Sequence, residues 1–206
     1  MTRRHLDSFG NLPLPEQIVA AGRMLYELGL VDSHSGNLTA RAHGHVYATT
    51  RGAGMGRLRP EQVRPTTLEV AQPPEVTSEW IVHRAIYQAC DASGVRAGAV
   101  VHTHPLHANA WALHSARLVP LDSEAGDSVG SIEVLEVTPS SASAQLAQAV
   151  SQHLTAHPAV LIRTHGLVVR GETLDEAVMF TCAVEYAARM RVLDLQLQLG
   201  KRAGLL

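Results

Sequence analysis

The chain has 206 residues, 46% of them hydrophobic, and 17 basic against 19 acidic side chains give a formal net charge of -2. That length can enclose a full core without disulfide or metal staples, and the charge balance gives no electrostatic reason to expect a nucleic-acid or anionic-membrane partner. The two cysteines, Cys90 and Cys182, form no CxxC and suggest neither a thiolate zinc site nor a disulfide framework.

The opening residues Met1 to Asp7 lack the apolar core of a leader, and no apolar run approaches the roughly 18 residues that span a bilayer. A single cytoplasmic domain over residues 1–206 is the expectation. Twelve histidines stand out against two tryptophans, four tyrosines and two phenylalanines.

Pro13 and Pro15 precede a helical pattern with apolar residues at Ile18, Ala21, Leu25 and Leu28, closed by Gly29. Leu38–Arg41 and Val46–Thr50 have strand lengths, with a hairpin turn at His43-Gly44-His45. Arg51 to Gly56 is a glycine-rich loop. Thr77 and Ser78 can cap a helix from Glu79 to about Cys90. Ala97–His104 reads as a buried strand stopped by Pro105, followed by a short helix through Leu113. Ile132–Val137 alternates as a strand, Ser143–Leu154 has helical spacing, and Ala159–His165 is a second buried strand that Leu167–Arg170 can partner. Thr173 and Glu176 open a last helix as a capping box, and its pattern runs to Leu199. Helices and strands interleave throughout, which predicts an α/β layered domain.

Two imidazoles at i and i+2 of a strand, His102 and His104, share one face about 7 Å apart and can hold one metal ion. An isolated HxH is equally compatible with two polar residues on a wet sheet face. The apolar Ala99-Val100-Val101 before it gives such a strand little reason to end in two histidines. His165, at the end of another apolar strand and followed by Gly166, is the best third ligand. Glu79, Thr77 and Ser78 sit at a predicted helix N-terminus, where free N–H groups attract anions; capping alone would also explain them. Ser35-Gly36-Asn37 is, in isolation, only a turn.

Five segments in a fixed order carry more than any of them alone. They are Ser35-Gly36-Asn37-Leu38-Thr39-Ala40-Arg41, Thr49-Thr50-Arg51-Gly52, Thr77-Ser78-Glu79 with His83 and Tyr87, Val100-Val101-His102-Thr103-His104-Pro105, and Thr164-His165-Gly166 with Gly171. From about residue 16 to 190 the chain resembles the class II aldolase/adducin family, whose enzymes include L-fuculose-phosphate aldolase. The resemblance implies a three-layer α/β/α sandwich with a central, mainly antiparallel sheet. It implies one zinc ion per subunit on His102, His104 and His165, with Glu79 completing the shell in the empty enzyme and acting as base once substrate arrives. Gly36, Asn37, Thr49, Arg51, Gly52, Thr77 and Ser78 match the segments that hold the substrate phosphate. The implied partner is a small sugar phosphate and the implied assembly a homotetramer.

The resemblance implies an aldolase that cleaves a phosphorylated ketose, such as L-fuculose 1-phosphate, to dihydroxyacetone phosphate and an aldehyde. A dehydratase of methylthioribulose 1-phosphate or a sugar-acid-phosphate decarboxylase could use the same groups. A ribulose-phosphate 4-epimerase usually has aspartate at the Glu79 position, and an adducin-like binding module has no need of a complete metal site. Two departures bear on this choice. Arg51 stands where the family's aldolases carry a small hydroxyl residue, and Pro120–Ala125 lacks their tyrosine proton donor, leaving Asp122 and Glu124 as the nearby acids.

Overall fold

The structure is a computed structural model that describes Phe9 and residues 12–205. Met1 to Asp7, read above for a leader, lie outside the described residues. Eight strands form one sheet in the order β3-β2-β1-β4-β8-β7-β6-β5. They are β1 (Asn37–Ala42), β2 (His45–Thr49), β3 (Val63–Thr66), β4 (Ala99–Thr103), β5 (Arg117–Leu118), β6 (Ile132–Leu135), β7 (Ala159–Ile162) and β8 (Gly166–Gly171). Every neighbouring pair is antiparallel except β6 and β7. The helices are α1 (Leu14–Glu27), α2 (Trp80–Ala92), α3 (Leu106–His114), α4 (Ser123–Ser128), α5 (Ala144–Leu154) and α6 (Leu174–Arg202).

The sheet is covered on both faces, so β4, β7 and β8 read as continuous apolar runs. Leu38, Val101 and Leu167 pack with Ile18 and Leu25 of α1 and Val184 of α6 on one side. Val100, Val160 and Val168 pack with Trp80 and Ile86 of α2 and Leu146 and Val150 of α5 on the other. This is the mixed α/β sandwich with a mainly antiparallel sheet that the resemblance implied. His102 shares a face with Val100, two residues before it, and so belongs to the side of α2 and α5.

Caps follow the sequence closely. Pro13 precedes α1, Ser143 Oγ accepts from Leu146 N at the head of α5, and Thr173 Oγ1 accepts from Glu176 N at the head of α6. Glu176 returns its bond to the amide of Glu172, one residue earlier than a capping box requires. Among the strands and α-helices three have no counterpart in the sequence reading: the edge strand β3, the two-residue β5 and the short α4; two 3-10 turns, Met55–Arg57 and Pro60–Gln62, have none either. Pro65 lies within β3, where an edge position tolerates its missing N–H. No helix among the described residues is long and apolar enough to cross a membrane. Cys90 and Cys182 are free thiols.

Candidate active site

Three segments converge at the end of β4. His102 lies within the strand, and His104 follows it, with its amide donating to the Leu30 carbonyl at 3.0 Å. His165 closes the turn between β7 and β8, its amide donating to the Ile162 carbonyl at 3.0 Å. The expected strand therefore stops at Ile162, and His165 is a turn residue. Gly166 does not supply the turn's unusual dihedral either; Thr164 does, at φ 63°.

One ligand atom from each of His102, His104 and His165 lies within 4.8 Å of the others, and among the described residues no other group forms such a cluster. Ring centroids are 4.7 to 5.3 Å apart. His102 Nδ1 donates to the Leu167 carbonyl at 3.0 Å, which turns its Nε2 lone pair toward His104 Nε2, also 3.0 Å away. Two imidazole ligands at about 2.0–2.1 Å from a tetrahedral zinc ion would have their nitrogens roughly 3.3 Å apart. Burial, reinforced by the neighbouring histidines, holds His102 well below the usual imidazole pKa, and burial with His165 lowers His104. Both rings are thus neutral, the form that ligates a metal. His165 Nδ1 is buried with no partner in the protein. The donor set fits a divalent metal ion.

Glu79 immediately precedes α2 and is 7% exposed. Its carboxylate lies outside the three-histidine cluster; Oε1 accepts from Ser141 Oγ at 2.6 Å and from Ala142 N at 2.9 Å. Thr77 Oγ1 accepts from the Glu79 amide at 3.3 Å, so it serves the helix start. Ser78 is exposed beside it.

The remaining positions singled out in the sequence lie along this end of the sheet. Asn37 pairs with His102 across β1 and β4, and its Oδ1 is buried without a partner. Gly36, at φ 81°, passes so close that a Cβ there would stand 2.9 Å from the His102 carbonyl oxygen. The Thr49 carbonyl accepts from Thr77 N at 3.0 Å, and the Arg51 amide donates to the Glu75 carbonyl at 2.8 Å, which joins the second and third segments. Thr49 Oγ1 accepts from Leu38 N inside the fold, whereas Arg51 and Gly52 are exposed. A groove of about 580 Å³ between Leu12–Pro15 and Glu172–Asp175 lies at the opposite end of β1 and holds none of these residues.

The motif segments contain the residues that hold the site from behind, although the sequence alone does not assign their contacts. Thr39 Oγ1 bonds His83 Nδ1 at 2.8 Å and the Tyr87 hydroxyl at 2.9 Å. Arg41 lies 4.0 Å over the Tyr87 ring and grips Asp91 with both terminal nitrogens. Ser141 and Ala142 carry no signal, because a serine-rich stretch reads only as a loop. Asp122 proves to be the cap of α4, its Oδ1 accepting from Ala125 N.

The model of the family described as Class II Aldolase and Adducin N-terminal domain matches residues 16–192. The L-fuculose phosphate aldolase of Methanococcus maripaludis is 29% identical over 170 residues, covering 81% of this chain and 89% of that protein. The methylthioribulose-1-phosphate dehydratase of Pseudomonas paraeruginosa is 32% identical over 202 residues, covering 88% and 96%. The crystal structure of L-fuculose-1-phosphate aldolase from Thermus thermophilus superposes with a TM-score of 0.83 at 31% identity, covering 88% of this chain and 93% of that one. With nearly the whole sheet and its helices inside the matched span, this chain belongs to the class II aldolase and adducin N-terminal domain family.

Proposed function

We propose that this chain is a zinc-dependent aldolase that cleaves a phosphorylated ketose, such as L-fuculose 1-phosphate, to dihydroxyacetone phosphate and an aldehyde. The observation that carries the reading is the convergence of His102, His104 and His165, with two rings held neutral by burial. A divalent metal on these residues would supply a Lewis acid for the substrate oxygens. Glu79 is the base. In the cleavage direction it takes the proton of the hydroxyl at the carbon that becomes the aldehyde, the carbon–carbon bond breaks with its electron pair left on the ketone fragment as an enediolate, and the protonated carboxyl returns that proton to the enediolate carbon, which gives dihydroxyacetone phosphate and restores the carboxylate. In the reverse direction it takes a proton from dihydroxyacetone phosphate, a transfer worth typically 10²–10⁴-fold. Gly36, Asn37, Thr50 to Gly52, Thr77 and Ser78 hold the phosphate away from the reacting carbons, so binding energy goes into orientation, while Thr49, expected beside them, is fully buried and supports the loop from inside the fold. The active assembly is a cytoplasmic homotetramer with one zinc ion per subunit.

The test is solvent deuterium exchange into dihydroxyacetone phosphate with and without chelator. Metal-dependent exchange, lost in Glu79→Gln, is the expected result. No exchange from protein carrying its zinc overturns the reading.

A second reading is favoured by one observation. The family relative 32% identical to this chain over 202 residues is a methylthioribulose-1-phosphate dehydratase. The segment that would hold the aldolase tyrosine starts α4 here, and Asp122 is engaged in capping it. Loss of water from methylthioribulose 1-phosphate, in place of cleavage, would select the dehydratase.

A further inference from the structure

We propose that Ser141 is a positioning residue for Glu79 and decides which of its two carboxylate oxygens receives the substrate proton. The inference rests on the reading of Glu79 as the base. Between β6 and α5 the segment 138–143 folds over the start of α2. Its far end is pinned, since Ser143 Oγ accepts from Leu146 N and donates to the Pro139 carbonyl at 2.9 Å. Its near end meets Glu79 with two donors, the Ser141 hydroxyl and the Ala142 amide, both on Oε1.

The asymmetry is the informative feature. Among the described residues no hydrogen bond is made to Glu79 Oε2. Two donors on one oxygen fix the rotation of the carboxylate and occupy lone pairs of Oε1, which leaves those of Oε2 to take a proton. As the substrate C–H or O–H bond breaks, its electron pair remains on the substrate and the proton passes to Oε2, with no net oxidation. Ala142 presents its amide from φ 43°, a left-handed conformation disfavoured for a residue with a Cβ. Ser141 and Ala142 are themselves exposed, so the hydroxyl fills no core space. A hydroxyl on an exposed residue that grips a nearly buried carboxylate acts through that carboxylate.

The experiment compares zinc-loaded wild type, Ser141→Ala and Ser141→Thr, with each serine variant rebuilt on Glu79→Asp. The shorter aspartate cannot meet Ser141 in the same way. The probes are deuterium exchange into dihydroxyacetone phosphate and turnover of methylthioribulose 1-phosphate. We expect Ser141→Ala to lower kcat by about 10- to 100-fold with KM within about twofold. Ser141→Thr restores most of the rate, and Ser141→Ala adds nothing on the Glu79→Asp background. Wild-type rates in Ser141→Ala overturn the inference alone, as does an equal loss on both backgrounds. Failure of loaded wild type to act on either probe removes the base role of Glu79 and overturns the functional reading together with this one.

Discussion

A Cβ placed on Gly166 would stand 2.9 Å from Cε1 of His102. It would also lie 2.9 Å from His104 Cδ2 and 2.5 Å from the Thr103 carbonyl oxygen. The missing side chain at residue 166 is therefore what lets the β7–β8 turn bring His165 against the other two rings. Gly166→Ala must displace the Thr103 backbone, one of the rings, or both. Metal affinity, measured by competition with a chromogenic chelator, should fall by about 10- to 100-fold, the scale of losses when groups orienting a ligand are disturbed. Unchanged affinity would mean that the backbone yields without moving the histidines.

Metal binding should also appear as stability. A ligand that binds only the folded chain adds RT ln(1 + [L]/Kd), about 2.7 kcal/mol at a hundredfold excess over Kd. Zinc added to chelator-treated protein should raise Tm by several degrees, and His102→Ala or His165→Ala should abolish the shift. A shift that survives His165→Ala would place the metal elsewhere.

The chemistry is more legible in the sequence than its supports are. His102 lies on a strand and His104 just past its end, and the two-residue spacing of strand periodicity alone puts them together. His165 stands out by its place beside an apolar run, although it lies in a turn whose left-handed residue is Thr164. A non-glycine residue in that region leaves no compositional mark. Ser141 lies 62 residues from Glu79, so no local pattern could couple them. Strand β3 escapes notice because Pro65 argues against a strand unless the strand is known to be an edge, which only the assembled sheet reveals.

Behind the site, Thr39 is the single hydroxyl shared by two buried side chains on α2. Tyr87→Phe removes one of its partners and should cost about 1 kcal/mol. Thr39→Val leaves the buried His83 ring without a hydrogen bond and the Tyr87 hydroxyl with only the Val100 backbone, and should cost about 2–3 kcal/mol, most of it the desolvation penalty of the stranded imidazole. Urea denaturation of both variants measures the difference. Equal losses would show that His83 and Tyr87 are satisfied without Thr39.

Glu185 makes a comparable tie between helices. From α6 it accepts the amides of His107 and Ala108 at 3.1 and 2.9 Å, capping the start of α3 directly after the HxH segment. His107 Nδ1 lies 2.7 Å from the same carboxylate. Glu185→Ala strands these donors and should destabilise the protein by about 2–3 kcal/mol, with Glu185→Gln recovering part of the loss. Thermal unfolding of the metal-free protein separates this from any metal effect.

Acid sensitivity should follow from His83. Its ring is fully buried, and burial lowers its pKa from 6.5 to about 3. Between those values the unfolded chain binds a proton that the folded chain refuses, so stability is full above the unfolded pKa and is lost as pH falls through this window. The slope approaches about 1.4 kcal/mol per pH unit for one such group. His102 and His104 are depressed in the same direction in the metal-free protein, so wild type alone cannot isolate His83. His83→Gln keeps a polar group near Thr39 but does not titrate. Between about pH 6 and pH 4.5, inside that window, urea denaturation of the metal-free proteins should show stability falling more steeply for wild type than for the variant. Parallel slopes would mean that His83 is protonated inside the fold or is reached by water.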